Sequence, residues 1–223
     1  MRNKRLATGA ILLIAIIGCG KEKVETGGPG DKNASQNHQD ATSIKVWKDF
    51  TPPSRSFRAK FPWGNAIHWP FTGFDKPLPT EIAEAMKYRS SRDEMDGDRY
   101  YTTDYFNITE AKFTPGSSAA ECEKALDQLL RDEADQWGIK LSEPKSITWS
   151  GQPAKEMEGI ETPKEKTNRM QARRVYRVLV TAKFGYIGIV RDTGNPKKDV
   201  FGVPLKLTPG DVKMFLDSFT LTK

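Results

Sequence analysis

Residues 174–191, RVYRVLVTAKFGYIGIVR, decide the fold of this chain. The two halves, Arg174 to Thr181 and Phe184 to Arg191, are rich in valine, isoleucine and tyrosine, which favour β-strands. Because so few residues separate the halves, the connection has to be a tight turn, and tight turns join antiparallel strands. The stretch therefore predicts a β-hairpin.

Further strands are predicted N-terminal to this hairpin. Ser56 to Phe61 alternates apolar and polar residues, as a half-buried strand does. Two more strand pairs with short turns are predicted: Lys87 to Asp93 with Arg99 to Ile108, and Leu141 to Trp149 with Gln152 to Gly159. The first turn contains Asp96-Gly97, a dipeptide typical of tight hairpins, and the second contains Ser150-Gly151.

Helix signals occur in two places. Ser118 and Glu121 form a capping box before an apolar stripe, and Gly138 is suited to end that helix. Thr208 caps a second, shorter helix, which has Pro209 at its first position. Many strands with only two helices predict an α+β domain, an antiparallel sheet of about six to seven strands flanked by helices.

The order of these elements is similar to that of a known family. The segments that carry the similarity are FRAKFP at 57–62, GQPAKE at 151–156, RVYRV at 174–178 and FLDSF at 215–219. In this order they resemble the PsbP-like α/β/α sandwich. The resemblance implies a fold and an accessory or binding role at membrane complexes. It implies no catalytic residues, because no catalytic set of the family maps onto this chain.

The N-terminal residues resemble the signal peptide of bacterial lipoproteins. Met1 to Arg5 is positively charged, and the uncharged run Leu6 to Ile17 is shorter than the about 20 residues that cross a bilayer. Ile16-Ile17-Gly18-Cys19 resembles a lipobox, so residues 1–18 are a predicted signal peptide and Cys19 is the predicted lipidation site. An ordinary signal peptide that happens to contain a cysteine is the alternative interpretation.

The anchor predicts both the location and the domain organisation. Fatty chains on Cys19 would hold the protein to a membrane of the cell envelope, on the extracytoplasmic side. Residues 19–43 predict a disordered tether, since glycine, proline and polar residues bury little apolar surface. Such a coil spans about 25–30 Å end to end. Residues 44–223 then form a single domain.

Charge excludes one class of partner. The formal net charge is +6, and three of these charges, Arg2, Lys4 and Arg5, lie in the leader. The mild excess that remains on the mature chain is far from the basic stripe that a nucleic-acid backbone requires. Together with the predicted export, this argues against nucleic acid as a partner.

The sequence predicts no catalytic or metal site and no cofactor. His68 is the only histidine of the predicted domain, and a base or ligand made from histidine has to use it. Cys122 lies on the apolar stripe of the long helix, which favours a buried and unreactive thiol. One cysteine and one histidine are too few for zinc. The acidic turn at Asp93 to Asp98 lacks the spacing of a calcium loop.

Two features suggest a binding surface. The first is an aromatic segment interrupted by glycine and proline, with five candidate contact residues: Trp63, His68, Trp69, Phe71 and Phe74. Exposed rings of this kind line grooves for peptides, glycans or apolar ligands, although packing into the core is the simpler interpretation. The second is a basic run: Lys164, Lys166, Arg169, Arg173, Arg174 and Arg177. Such runs mark a solvated face, or one that touches anionic lipid or an acidic partner.

We therefore expect a non-enzymatic binding or accessory module with a protein or small-ligand partner. The first alternative is a hydrolase of envelope polymers, which would use His68 or a pair of carboxylates. The second is a purely structural envelope protein.

Overall fold

Eleven strands and two helices lie in the described part of the chain. The computed structural model describes residues 44, 46–62, 66–70, 77–96, 99–161, 172–193 and 207–222. The elements in chain order are β1 Trp47–Phe50, β2 Phe57–Pro62, β3 Ile67–Pro70, β4 Ile82–Asp96, β5 Arg99–Phe113, α1 Ala119–Gln136, β6 Ile139–Leu141, β7 Lys145–Trp149, β8 Gln152–Glu161, β9 Ala172–Val180, β10 Phe184–Asp192, α2 Pro209–Ser218 and β11 Thr220–Leu221.

The strands form two antiparallel sheets. The large sheet has the order β3-β4-β5-β10-β9-β8-β6, and β7 also pairs with β8, so that β6 and β7 share one edge of that strand. The small sheet has the order β1-β2-β11. The predicted α+β class is confirmed, and so is the large antiparallel sheet flanked by helices. The small sheet was not predicted from the sequence.

Helix α1 covers one face of the large sheet. Its capping box is present as predicted: Ser118 Oγ accepts a hydrogen bond from the Glu121 backbone N–H, and the Glu121 carboxylate accepts one from the Ser118 backbone N–H. Cys122 and Leu126 are buried against the sheet. At Gly185 of β10 an added Cβ would lie 2.8 Å from a Leu126 methyl group, so this glycine allows the helix to approach.

Helix α2 and the small sheet cover the opposite face with an aromatic core. Phe219 stacks on Trp149 with ring centroids 4.2 Å apart and on Phe57 with centroids 5.2 Å apart. Trp149 also donates its indole N–H to the Leu216 carbonyl. The cap at Thr208 and the Pro209 start of α2 are confirmed. The large sheet thus has a helix packed on each face.

One predicted strand is divided in the structure. The predicted Leu141 to Trp149 strand appears as β6 and β7, separated by residues 142–144. Pro144 lies in this break and lacks the N–H that a ladder needs, which explains the interruption. The turn between β7 and β8 follows the prediction, since Ser150 and Gly151 both have positive φ, at 52° and 73°.

Several predictions fall outside the described residues, including the signal peptide at 1–18, Cys19 and the tether to residue 43.

Packing is observed from Ile44, where the domain was predicted to begin. Its backbone N–H donates to the Asp211 carboxylate at 3.0 Å, and its side chain is buried. No helix in the described ranges is long and apolar enough to cross a membrane.

The aromatic core generates a stability prediction. Phe219→Ala removes a buried ring that contacts Trp149, Phe57 and Tyr186, and should lower the free energy of unfolding by about 3–5 kcal/mol. Urea unfolding of the purified protein measures this change. Ile67→Ala is the matched control, because that side chain is 67% exposed, and it should change stability by less than about 0.5 kcal/mol. Equal effects of the two substitutions would contradict the assignment of the core.

Candidate functional site

The sheet face beneath α1 changes character along the helix. Near the start of α1 the facing row is small and apolar, with Ala85, Ala111 and Gly185 aligned across three strands. Towards the end of α1 the rows become polar. One of these rows places Tyr105, Arg191 and Arg174 on adjacent strands, since Arg191 is the register partner of both of the other residues. The same face of the sheet therefore has an apolar core beneath the start of α1 and buried charged groups beneath its end.

We call these enclosed charged and phenolic groups the arginine cluster. They come from β4, β5, α1, β8, β9 and β10, so that six elements meet at this place. The members are Lys87, Arg89, Tyr105, Glu133, Glu161, Arg174, Tyr176 and Arg191.

Arg174 lies at the centre of the arginine cluster and is fully buried. Its Nη2 donates to Glu161 Oε2 at 2.9 Å. Its guanidinium carbon is 5.4 Å from the centre of the Tyr105 ring and 5.0 Å from that of Trp137, distances typical of cation–π contacts. Its Nε and Nη1 have no hydrogen-bond partner among the described residues. Nη1 is 3.9 Å from Glu133 Oε1, which is too long for a hydrogen bond.

Glu161 is the main counter-charge of the cluster. It accepts hydrogen bonds from Arg174 Nη2 at 2.9 Å and from Arg191 Nε at 2.8 Å. Burial by itself would raise the pKa of Glu161, but the bonds and charges of Arg191 and Arg174 outweigh it and lower that pKa. Glu161 is therefore an ionised group that holds two guanidinium ions.

Glu133 of α1 is held by a cation on the facing sheet. Lys87 Nζ is 3.2 Å from Glu133 Oε2, and both side chains are largely buried. Burial lowers the pKa of Lys87, with smaller contributions from the charges of Arg89 and Arg174, while Glu133 opposes the shift. This ion pair fixes the second half of α1 over the polar rows.

Two polar atoms near Arg174 also have no hydrogen-bond partner in the described part of the chain, Tyr176 Oη and Asn107 Oδ1. Tyr176 lies two residues after Arg174 in β9, on the same face of the sheet. Burial raises the pKa of Tyr176 although the charge of Arg174 opposes it, so the phenol keeps its proton and can donate. Burial likewise raises the pKa of Tyr105 to about 12.

Another buried carboxylate, that of Glu110, lies on the opposite face of the sheet and is fully engaged by hydrogen bonds. Glu110 accepts hydrogen bonds from Ser54 at 3.1 Å, from Ser56 at 2.5 Å and from the Tyr88 hydroxyl at 3.0 Å. These bonds fasten the start of β2 to β5. The arrangement is that of a structural tie, because each carboxylate oxygen is already occupied.

The predicted aromatic groove stays a prediction. Trp63, Phe71 and Phe74 lie outside the described residues. His68 and Trp69 belong to β3, an edge strand, where their main chains are aligned with Tyr88 and Lys87 of β4. Their side chains are also outside the description, so the five candidate residues are not shown to come together. The hydrolase alternative that depends on His68 is equally untested.

The interpretation of Arg174 as part of a solvated basic face is wrong. Its neighbour Arg173 is half exposed and pairs with Glu158 at 2.9 Å, whereas Arg174 points to the interior. The alternation of side chains along a strand could have predicted this burial. Arg174, Tyr176 and Val178 share one face of β9, and Val178 belongs to the core. The predicted burial of Cys122 is confirmed, and burial raises the pKa of that thiol. Within the described ranges, no group of three or more metal-binding side chains is assembled.

Comparisons with known proteins identify no family. No family model matches the chain, and no curated protein matches it. Among solved structures, a Bacteroides thetaiotaomicron protein is similar with 12% identity and a TM-score of 0.40, over 79% of this chain and 48% of that protein. LpqN, described as involved in cell envelope biogenesis of Mycobacterium tuberculosis, is similar with 13% identity and a TM-score of 0.35, over 88% of this chain and 100% of LpqN.

Both similarities are distant. The chain spans about half the length of the Bacteroides protein. Neither structure is described as PsbP-like, so that resemblance remains a prediction.

Asp104 generates a prediction about pH. Its Oδ1 accepts hydrogen bonds from the N–H and the hydroxyl of Thr193, its Oδ2 has no partner among the described residues, and burial raises its pKa to about 6. Because this folded-state pKa exceeds the unfolded value of about 3.9, the folded state binds the proton more tightly. The contribution of Asp104 to stability should therefore rise as the pH falls from 7 through 6 to 4.

Asp104→Asn removes this titration and isolates the effect. Urea unfolding at pH 7 and at pH 4.5 should show the wild type gaining about 2 kcal/mol relative to the variant at the lower pH. Comparison with the variant is needed because other carboxylates, such as Glu161, lose stability in acid. A wild type that loses stability relative to Asp104→Asn on acidification would contradict the assignment.

The thiol of Cys122 should react slowly in the native protein. In a Cys19→Ser chain it is the only thiol, and it is buried with a raised pKa. Labelling with a thiol reagent should be fast only after denaturation. The matched control carries Ala120→Cys, an exposed position of α1, together with Cys122→Ala, and should be labelled at once. Equal native rates would overturn the conclusion that Cys122 is shielded.

Proposed function

We propose that this chain is a non-enzymatic binding or accessory module of the bacterial cell envelope, held to a membrane by lipid on Cys19. The lipobox-like Ile16-Ile17-Gly18-Cys19 supports the anchor. Two or more fatty chains hold a protein stably, because each buried methylene contributes about 0.8 kcal/mol. The polar segment after Cys19 is long enough to display the domain in front of the membrane.

The state of Arg174 is the observation that carries the binding role. Buried polar groups in proteins are almost always hydrogen-bonded, and each exception calls for an explanation, such as a bound water or ion, a catalytic role or local strain. Leaving a buried donor without an acceptor costs about 1–3 kcal/mol, and more for a charged group. Arg174 and Tyr176 together present donors of this kind in one enclosed place.

The chemistry of the arginine cluster favours holding a ligand over transforming one. A carboxyl group that acts as a general acid needs a raised pKa, and a carboxylate that acts as a general base needs to be free to accept a proton from the substrate. Glu161 has a lowered pKa and is held by two arginines, while Glu133 is held by Lys87. Neither carboxylate is arranged for proton transfer.

The anchor is tested by fractionation and mass spectrometry of the native protein. The mature chain should begin at Cys19, carry fatty acyl chains there and be recovered with membranes. Cys19→Ser should release the protein into the aqueous fraction with its fold intact, as judged by an unchanged melting temperature. A wild-type chain that is unmodified at residue 19 and recovered in the aqueous fraction would refute the anchor.

The binding role is tested separately by native mass spectrometry of the Cys19→Ser protein. A bound small molecule should add mass to the folded chain and disappear on denaturation. Tyr176→Phe should reduce its occupancy, whereas Tyr88→Phe, on the opposite face of the sheet, should not. If no preparation or extract yields a retained molecule, the domain is not a small-ligand binder.

A further inference from the structure

We propose that the arginine cluster binds a small molecule through an oxyanion group, a carboxylate or a phosphate, which accepts hydrogen bonds from Arg174 and Tyr176. This inference rests on the proposed binding role and names the class of ligand. It depends on the geometry of the guanidinium and its neighbours.

The Arg174 guanidinium has two aromatic neighbours and one hydrogen-bond acceptor, and these contact different parts of the group. Aromatic rings of Tyr105 and Trp137 lie within 5.4 Å and 5.0 Å of its central carbon. Contacts of this kind stabilise the positive charge of the guanidinium, but they provide no acceptor for the N–H groups that lie in its plane. Among the described residues, only Nη2 has an acceptor, Glu161. The described residues therefore supply no hydrogen-bond acceptor to the N–H groups of Nε and Nη1, although the Glu133 carboxylate lies 3.9 Å from Nη1.

The chemical nature of the available atoms selects an acceptor as the ligand. Arginine has donors and no acceptor, and Tyr176 keeps its proton because burial raises its pKa. A cation or metal ion would be repelled by the charge of Arg174, and the unpartnered oxygen of Asn107 is the one buried acceptor without a hydrogen bond that the described part of this face offers it. A carboxylate or phosphate oxygen accepts several N–H and O–H bonds at once and matches the planar guanidinium.

The nearest carboxylate to Nη1 is already engaged by a lysine. The described side chains of the arginine cluster carry four positive groups and two carboxylates. Glu133 Oε1 stops 3.9 Å from Nη1, short of a hydrogen bond, because Lys87 holds the other oxygen of the same carboxylate. An oxyanion near Nη1 thus has one acidic neighbour that is already neutralised by a lysine.

Tyr176→Phe is the variant that separates a ligand site from a structural network. The Tyr176 hydroxyl makes no hydrogen bond of standard geometry in the described part of the protein, and its oxygen interacts with the Arg174 side chain, so its removal should lower the stability of the unliganded fold by no more than about 1 kcal/mol. The same change removes one donor to the ligand. Tyr88→Phe is the matched control, because its hydroxyl is bonded to Glu110 on the opposite face. That control should lose stability and keep its binding.

The experiment measures the melting temperature of the Cys19→Ser protein in rising concentrations of sodium phosphate, sodium succinate and sodium chloride at equal ionic strength. Phosphate, succinate or both should raise the melting temperature in a saturable way, as mass action requires, and chloride should not. The apparent Kd should increase about 10-fold in Tyr176→Phe, the loss expected for a hydrogen bond to a charged group, and stay unchanged in Tyr88→Phe. The stronger of the two oxyanions identifies the class.

Three results would overturn the proposal. The first is a melting temperature that follows ionic strength alone. The second is a response to the oxyanions that is equal in wild type and Tyr176→Phe. The third is a crystal structure grown in phosphate or succinate that shows only water at Arg174 Nε and Nη1. If native mass spectrometry finds an uncharged molecule whose occupancy falls in Tyr176→Phe, the oxyanion class is wrong while the binding role stands.

Discussion

A guanidinium ion without access to water has to be compensated from within the protein, and the burial of Arg174 imposes that requirement on the whole polar half of the sheet. An unpaired ion in such a place costs several kcal/mol even after relaxation. Glu161 on β8 supplies the counter-charge. The same carboxylate also pairs with Arg191 on β10, the strand on the other side of β9. The ends of β8, β9 and β10 are therefore joined by charge as well as by their backbone ladders.

The two faces of the large sheet differ in composition and in the role that we propose for them. The face beneath α2 is filled with stacked rings around Phe57, Trp149 and Phe219, and large buried aromatic side chains contribute strongly to stability. The face beneath α1 is apolar only over part of its length and then accepts charge. Proteins depart from the rules of a well-satisfied core chiefly at functional sites. The location of the exceptions, beneath the second half of α1, is the reason for placing a ligand there.

The proposed tether and the proposed site make different demands on the chain. The proposed tether needs only composition, since a polar segment has too little apolar surface to bury to favour folding. The site needs a rigid frame, because donors are useful only when they are held at fixed positions. Two helices and a broad antiparallel sheet provide that frame, and the ion pair between Lys87 and Glu133 fixes the helix that covers it.

Local signals in the sequence predicted both described helices and most of the strands, but not β1, β3 or β11. The caps at Ser118 and Thr208 determine helix starts because a side-chain oxygen satisfies a backbone N–H close by in the chain. The Ser150-Gly151 turn sets a hairpin for a similar reason, since the conformation of a turn is decided by its own residues. The α+β class follows from the order of these elements.

The interior of the arginine cluster was decided only by tertiary structure. Arg173 and Arg174 are identical residues and neighbours in sequence, yet one is half exposed and the other is fully buried. Alternation along β9 separates their faces, but whether a face is core or surface depends on α1 being packed over it. The partners of Arg174 come from separate elements, Glu133 from α1, Glu161 from β8 and Tyr105 from β5. The sequence by itself determined most of the elements, because their causes are local, whereas the short strands β1, β3 and β11 and the burial of charge depended on contacts between residues far apart in the chain.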